Sequence, residues 1–178
     1  MLEPTGGASL CSVSPQRMYR QQLIGLYLHG FLAVSHLASF KRKSWLNFLG
    51  QMTVLTTGLE MSLLAVATAA AGRTYQDPVL VRESLRSYIG GLNELRKDLS
   101  DPSLIYRDET LGACMNLSMY ELFECPAGTI RAYLLHQEGC VKLVQLRGPR
   151  AHRNGLGHSL FLAFRFLEVS AIVVILSV

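Results

Sequence analysis

The side chains of this sequence with the most chemistry in them are its five histidines, its four cysteines and two glutamates on one helical stretch. His29 and His36 fall on one helix face, but a zinc site needs a fuller ligand set than two imidazoles. His136 stands alone, and His152 and His158 flank a loop with no acid beside them, so none is arranged as a general base. There is no His-Glu-x-x-His, no Gly-x-Ser-x-Gly, no Walker loop and no dinucleotide fingerprint. Gly155-Leu156-Gly157 is a fragment of a glycine pattern without a strand in front of it. The cysteines Cys11, Cys114, Cys125 and Cys140 lack the short spacing of a zinc knuckle or ribbon. Cys114 and Cys140 lie on apolar helix faces and read as small core residues, whereas Cys125, just past a helix end, reads as a free thiol. Glu121 and Glu124 share a helix but read as exposed and isolated, not as an acid/base pair. The expectation is therefore that catalytic, cofactor-binding, metal and DNA-binding residues are none, that no cofactor is used, and that the protein is not an enzyme.

The elements around these residues are helical. Asp108 to Glu124 is the most informative stretch: Leu111, Met115, Met119 and Leu122 recur at helical spacing, and Cys114, Leu117 and Phe123 widen the stripe. Only Glu109, Gly112, Asn116 and Tyr120 make a narrow opposite strip. A helix with so wide an apolar face is covered on more than one side, so it is expected at the centre of the domain, with Asp108 favoured as its N-cap. Pro15, capped by Ser14, opens an earlier helix from about Gln16 to Leu32, carrying Leu23, Leu26, Tyr27 and Phe31. A short helix is expected at Trp45–Gly50. Thr57 to Ala71 is apolar almost all round, with Gly72 expected just past its end. At about fifteen residues it is short of the roughly twenty that a membrane span needs.

Asp77-Pro78 opens the most amphipathic helix, with the stripe Val81, Leu85, Tyr88, Ile89, Leu92, Leu95 and Leu99. Gly90-Gly91 in its middle costs about 1 kcal/mol per glycine relative to alanine, which implies a close crossing or a bend. Thr129 is expected to cap the next helix, Ile130 to Leu146, with Tyr133, Leu134, Cys140, Val141, Leu143 and Val144 inward; Gly148-Pro149 stops it. Arg147 to His152 and Arg153 then read as a solvated loop, as do Lys41-Arg42-Lys43. A last helix starts near Gly155. The terminal run Val169–Val178 holds ten uncharged residues, too few to cross a bilayer, so membrane attachment is not expected.

Composition agrees with one packed domain. The chain has 178 residues, 49% hydrophobic and 17% charged, with a net charge of +4, which argues against extensive disorder and offers little for nucleic acid. No secretory signal opens it, so a reducing compartment is expected. A mean hydropathy of +0.25 asks for a membrane segment or for surfaces covered by other material. The resulting fold class is all-α, with antiparallel helix pairs forming a bundle or α-solenoid-like array, residues 1–14 as a flexible lead-in and 15–178 as one helical region. No fixed-period repeat supports a tetratricopeptide-type array.

Several motifs, in order, resemble the regulatory domain of fungal zinc-cluster transcription factors. They are Ser44-Trp45-Leu46; the Ala-rich helix ending in Gly72-Arg73; Ser84 and Tyr88 followed by Leu92 and Leu95; Asp108-Glu109-Thr110-Leu111 with Tyr120-Glu121-Leu122-Phe123; Arg147-Gly148-Pro149; and Phe164-Arg165 with Glu168. The likeness covers about residues 44–169. It implies a transcription-factor-like regulatory protein in the nucleus (the cytoplasm being the alternative site), acting through helical protein–protein contacts. A full-length transcription factor or co-regulator is the expected partner, and fungal secondary-metabolite genes are the implied targets. The family's closely spaced zinc-cluster cysteines and its dimerising coiled coil have no counterpart here, so no direct nucleic acid contact is expected. The chain is read as a relative truncated at its C-terminal end. The alternative reading is a structural or membrane-associated helical protein with no regulatory role.

Overall fold

A computed structural model of the chain describes residues 15–34, 55–126 and 128–176. Among them are six helices: α1 (Pro15–Val34), α2 (Thr57–Thr74), α3 (Pro78–Ser100), α4 (Asp108–Glu124), α5 (Arg131–Arg147) and α6 (Gly155–Leu176), with a 3-10 turn at Pro149–His152 and no strand. The all-α class expected from the periodicity is what the chain forms. The expected lead-in 1–14, the basic cluster 41–43 and the short helix at Trp45 lie outside the described residues. No described helix is long and apolar enough to cross a membrane.

Local chemistry sets most helix ends. Thr56 caps α2, its hydroxyl accepting from the Leu59 amide at 3.4 Å. Asp77 caps α3 by accepting from the amides of Val79 (2.8 Å) and Leu80 (3.4 Å), with Pro78 in the first turn as anticipated. Three expected ends shift. Gly72 lies inside α2 and is buried; the helix runs to Thr74 and the chain reverses through Gln76 at φ 53°. Arg107, not Asp108, is the N-cap of α4, which leaves the Asp108 carboxylate in the first turn, where the helix dipole favours it. Ile130 replaces Thr129 ahead of α5 and makes no side-chain cap.

The helices pack in antiparallel succession. In α2 and α3, Gly58 meets Asp98 while Gly72 meets Val81, so the pair runs in opposite directions. In α3 and α4, Ser84 bonds to Tyr120 while Gly91 lies on Leu117. In α4 and α5, Asp108 pairs with Arg147 while Ser118 bonds to Gln137. Helix α4 touches α2, α3, α5 and α6, and every residue from Thr110 to Glu121 is buried. The wide stripe thus does mark the central helix. Its narrow strip of Gly112, Asn116 and Tyr120 is buried too, because neighbours close on that side as well.

The largest departure concerns α3. Its buried face is Ser84, Ser87, Tyr88, Gly91, Leu95 and Asp98, while Leu85, Ile89 and Leu99 stand 40%, 50% and 41% exposed. The cause is the glycine pair. A Cβ on Gly91 would lie 3.2 Å from Leu117 Cδ2 and 3.3 Å from the Ser62 backbone nitrogen. The backbones of α2 and α3 therefore cross in close contact, small residues take the seam, and the large aliphatic ones turn outward. Leu134 of α5 and Leu26 of α1, both expected inward, are 48% and 66% exposed. Tyr133, also expected inward, is buried, and in α1 Ile24 takes the buried position in place of Leu26.

Residues 147–153 form a joint in which Pro149, Arg150 and Arg153 are exposed, as a solvated loop would have them, but Arg147 and His152 are packed inward. The Arg147 side chain is 3% exposed and bonds Asp108 and, at 3.1 Å, the Tyr106 carbonyl. His152 is buried with its ring nitrogens 3.2 and 3.3 Å from the carbonyl oxygens of Gly157 and Val144. Gly148, at φ 70°, ends α5 as expected, and Pro149 starts the 3-10 turn.

Candidate functional site

Each side of α4 carries a polar side chain that reaches a different neighbour. Toward α2, Asn116 Nδ2 donates to Ser62 Oγ at 3.3 Å, and Glu124 holds Arg73. Toward α3, Tyr120 and Glu121 engage Ser84 and Tyr88. Toward α5, Ser118 accepts from Gln137 Nε2 at 2.9 Å, and Asp108 pairs with Arg147. A hydrogen bond between buried groups tolerates little slip along or around the helix, so these pins fix the register of the bundle at points the apolar surface alone leaves degenerate.

The tyrosine cluster is the densest of them. The rings of Tyr88 and Tyr120 stack with centroids 4.6 Å apart and planes 14° apart. Ser84 Oγ donates its one proton to the Val81 carbonyl at 2.7 Å, so Tyr120 donates to Ser84 Oγ at 3.0 Å. Tyr88 donates to Glu121 Oε1. Burial, and next the bond to Glu121, push the Tyr88 phenol well up, so its proton stays in place. Burial also raises the Tyr120 phenol. Glu121 is 4% exposed and its second oxygen, Oε2, is buried with no hydrogen-bond partner.

The opening pair of glutamates therefore separates. Glu121 is buried and Glu124, 10% exposed at its side chain, is ion-paired; neither is the exposed, isolated group that the helix pattern suggested. Arg73 Nε lies 2.7 Å from Glu124 Oε1, and Arg73 Nη2 lies 3.2 Å from Oε2 and 2.8 Å from the Phe123 carbonyl. Glu124 raises the Arg73 guanidinium further above its usual value. Beside this pair opens a cavity of about 300 Å³, lined by Tyr27 of α1, Val66, Ala69, Ala70 and Arg73 of α2, and Tyr120, Phe123 and Glu124 of α4.

Of the remaining reactive side chains, Cys114 and Cys140 come together: the hydrogen bond between them draws the Cys114 thiol down to about 6, against the opposing effect of burial. Cys114 and Cys140 are buried core thiols, as their faces implied; Cys114 Sγ lies 3.6 Å from the His136 carbonyl. Cys125 is a half-buried free thiol at the left-handed cap of α4. No three metal-binding side chains gather among the described residues. The expected His29–His36 face includes His36, outside those residues. His158 Nδ1 is 3.0 Å from the His152 carbonyl, a local contact in the joint. The pattern of single helices does not announce the Arg73–Glu124 and Asp108–Arg147 pairs, whose partners are 51 and 39 residues apart.

The motifs noted in the sequence find their partners in one another. Gly72-Arg73 meets Glu124 just after Tyr120–Phe123; Ser84 and Tyr88 meet Tyr120 and Glu121; Asp108 meets Arg147 of Arg-Gly-Pro. The signature residues join helices.

The fungal-specific transcription factor domain matches the chain over residues 22–173, an extent that takes in most of α1 as well as the region from residue 44. An uncharacterized protein of Emericella nidulans is 27% identical over 132 residues, which are 73% of this chain and 28% of that protein. The chain thus spans 28% of the length of this curated relative. No solved structure matches.

Proposed function

Because the chain belongs to the fungal-specific transcription factor domain family, whose members have a transcription-regulation role and are not a family of enzymes, we propose that it is a nuclear regulatory protein working through helix-face contacts with another protein. The observation that carries this reading is the outer face of α3. Leu85, Ile89 and Leu99 lie exposed at helical spacing, with the exposed Arg82, Arg86 and Arg96 around them. Arg86 is paired with Glu83 and Lys97 with Glu94, which leaves Arg82 and Arg96 as the charges beside the apolar strip, and these suit a partner surface of apolar residues edged with carboxylates. The partner we propose is a full-length zinc-cluster regulator or its co-regulator, the target genes those of fungal secondary metabolism, and the chain contacts DNA through that partner and not directly.

The test is capture from fungal nuclear extract with the whole chain as bait. A transcription factor or co-regulator should be retained by the native chain. The double variant Leu85→Glu, Ile89→Glu should lose at least about 90% of it, since two charges in an apolar contact weaken binding by more than tenfold. Its helical circular dichroism should be unchanged. Capture of no regulator, or equal capture by the variant, refutes the proposal.

A further inference from the structure

The geometry points to the cavity between α1, α2 and the last turn of α4 as a binding site for a small, uncharged, mostly apolar molecule with a single hydroxyl or carbonyl group turned toward the Arg73–Glu124 pair. Nothing in the pinning of the helices requires this space. It exists because α2 presents Val66, Ala69 and Ala70 where the facing side chains are the rings of Tyr27, Tyr120 and Phe123. Small residues opposite aromatic ones leave a slot, and at about 300 Å³ it is at the lower end of the range for small-molecule sites. Flat aromatic walls favour a flat aromatic or alicyclic occupant.

The polar end decides the charge of the ligand. The Glu124 carboxylate, nine-tenths buried, takes two bonds from Arg73, and the same guanidinium also holds the Phe123 carbonyl. A ligand carboxylate competes with Glu124 for Arg73, and a ligand cation competes with Arg73 for Glu124. Either also meets a like charge at the pair, the Glu124 carboxylate for an anion and the Arg73 guanidinium for a cation, and so gains less than at an isolated charge. A neutral hydroxyl or carbonyl adds a hydrogen bond at the pair's edge and leaves it whole. Tyr27 fits the same picture: burial pushes its phenol up to about 12, so this wall is neutral at physiological pH.

This inference stands apart from the regulatory reading, and its test involves no partner protein. The whole chain, labelled with nitrogen-15, is titrated with 2-naphthol, a neutral bicyclic alcohol, and in parallel with 2-naphthoate, its carboxylate counterpart. 2-Naphthol should produce saturable amide shifts centred on Ala69, Ala70 and Phe123, with 2-naphthoate weaker by about tenfold or more. Ala70→Phe, which fills the slot from an exposed position, and Phe123→Ala, which removes a wall without crowding, should each weaken 2-naphthol by about tenfold while the other cross-peaks stay in place. Absence of saturable shifts, shifts elsewhere in the bundle, equal binding of the two probes, or binding untouched by both variants overturns the assignment.

Discussion

Gly157→Val is expected to destabilise the protein by about 3 kcal/mol, lowering the melting temperature by roughly 6–12 °C. Gly157 is buried in the first turn of α6. A Cβ there would run into the Ala151 carbonyl oxygen and come within 2.8 Å of Asp108 Oδ1. The first of these is backbone of the 3-10 turn and cannot swing aside like a side chain. The second belongs to the pair that holds Arg147. Relief therefore requires α6 to lift from the joint, which pulls the Gly157 carbonyl from His152 and loosens the Asp108 pin together with it. Gly157→Ala meets the same collision, and its gain of about 1 kcal/mol in helix preference does not offset it. Thermal melts followed by circular dichroism decide the matter: a melting point within a degree of the native one would mean that the joint does not hold α6 as described.

Tyr88→Phe is expected to cost about 2–4 kcal/mol, far more than the loss of one hydroxyl on a surface. The phenylalanine ring keeps the stack on Tyr120, so the substitution isolates the bond to Glu121. Without that donor the Glu121 carboxyl, 4% exposed and already without a partner on Oε2, loses the bond that holds its Oε1 in the interior. The cost comes from the group left behind, and a second change should therefore recover part of it. Tyr88→Phe combined with Glu121→Leu is expected to be more stable in urea than Tyr88→Phe alone, a sign opposite to that of two independent losses. A double variant as unstable as the sum of its parts would show that Glu121 is satisfied by another route.

These two residues mark what a single sequence makes legible. The identity of α4 as the centre came from the width of its apolar stripe, a property local to one helix. The start of α3 came from Asp77-Pro78, also local. The close crossing at Gly90-Gly91 was readable as a crossing, but its effect on the rotation of α3 was not. Hydrophobicity ranked Leu85 and Ile89 as core, and only the approach of the α2 backbone decides that Ser84 and Ser87 go inside. Glu121 looked exposed because a carboxylate usually is. Its burial depends on a phenol 33 residues away on another helix. The same holds for Arg147, whose charge suggested solvent until Asp108 and the Tyr106 carbonyl were placed beside it. The family motifs were visible as words, but the pairing of each word with another required three dimensions.

The three-residue turn Tyr75–Asp77 between α2 and α3 has a consequence for the order of assembly. Closing so short a loop sacrifices little chain entropy, and the two helices it brings together are consecutive in sequence. The α2–α3 hairpin is therefore expected to be the nucleus onto which α4 condenses, with the joint around Gly157 closing after the barrier has been crossed. Stopped-flow chevrons would then split the two seams by kinetics. Ala at Gly91 should act mainly on the folding rate, and Ala at Gly157 mainly on the unfolding rate. On this view the hairpin governs how quickly the domain forms, and the joint governs how long it lasts.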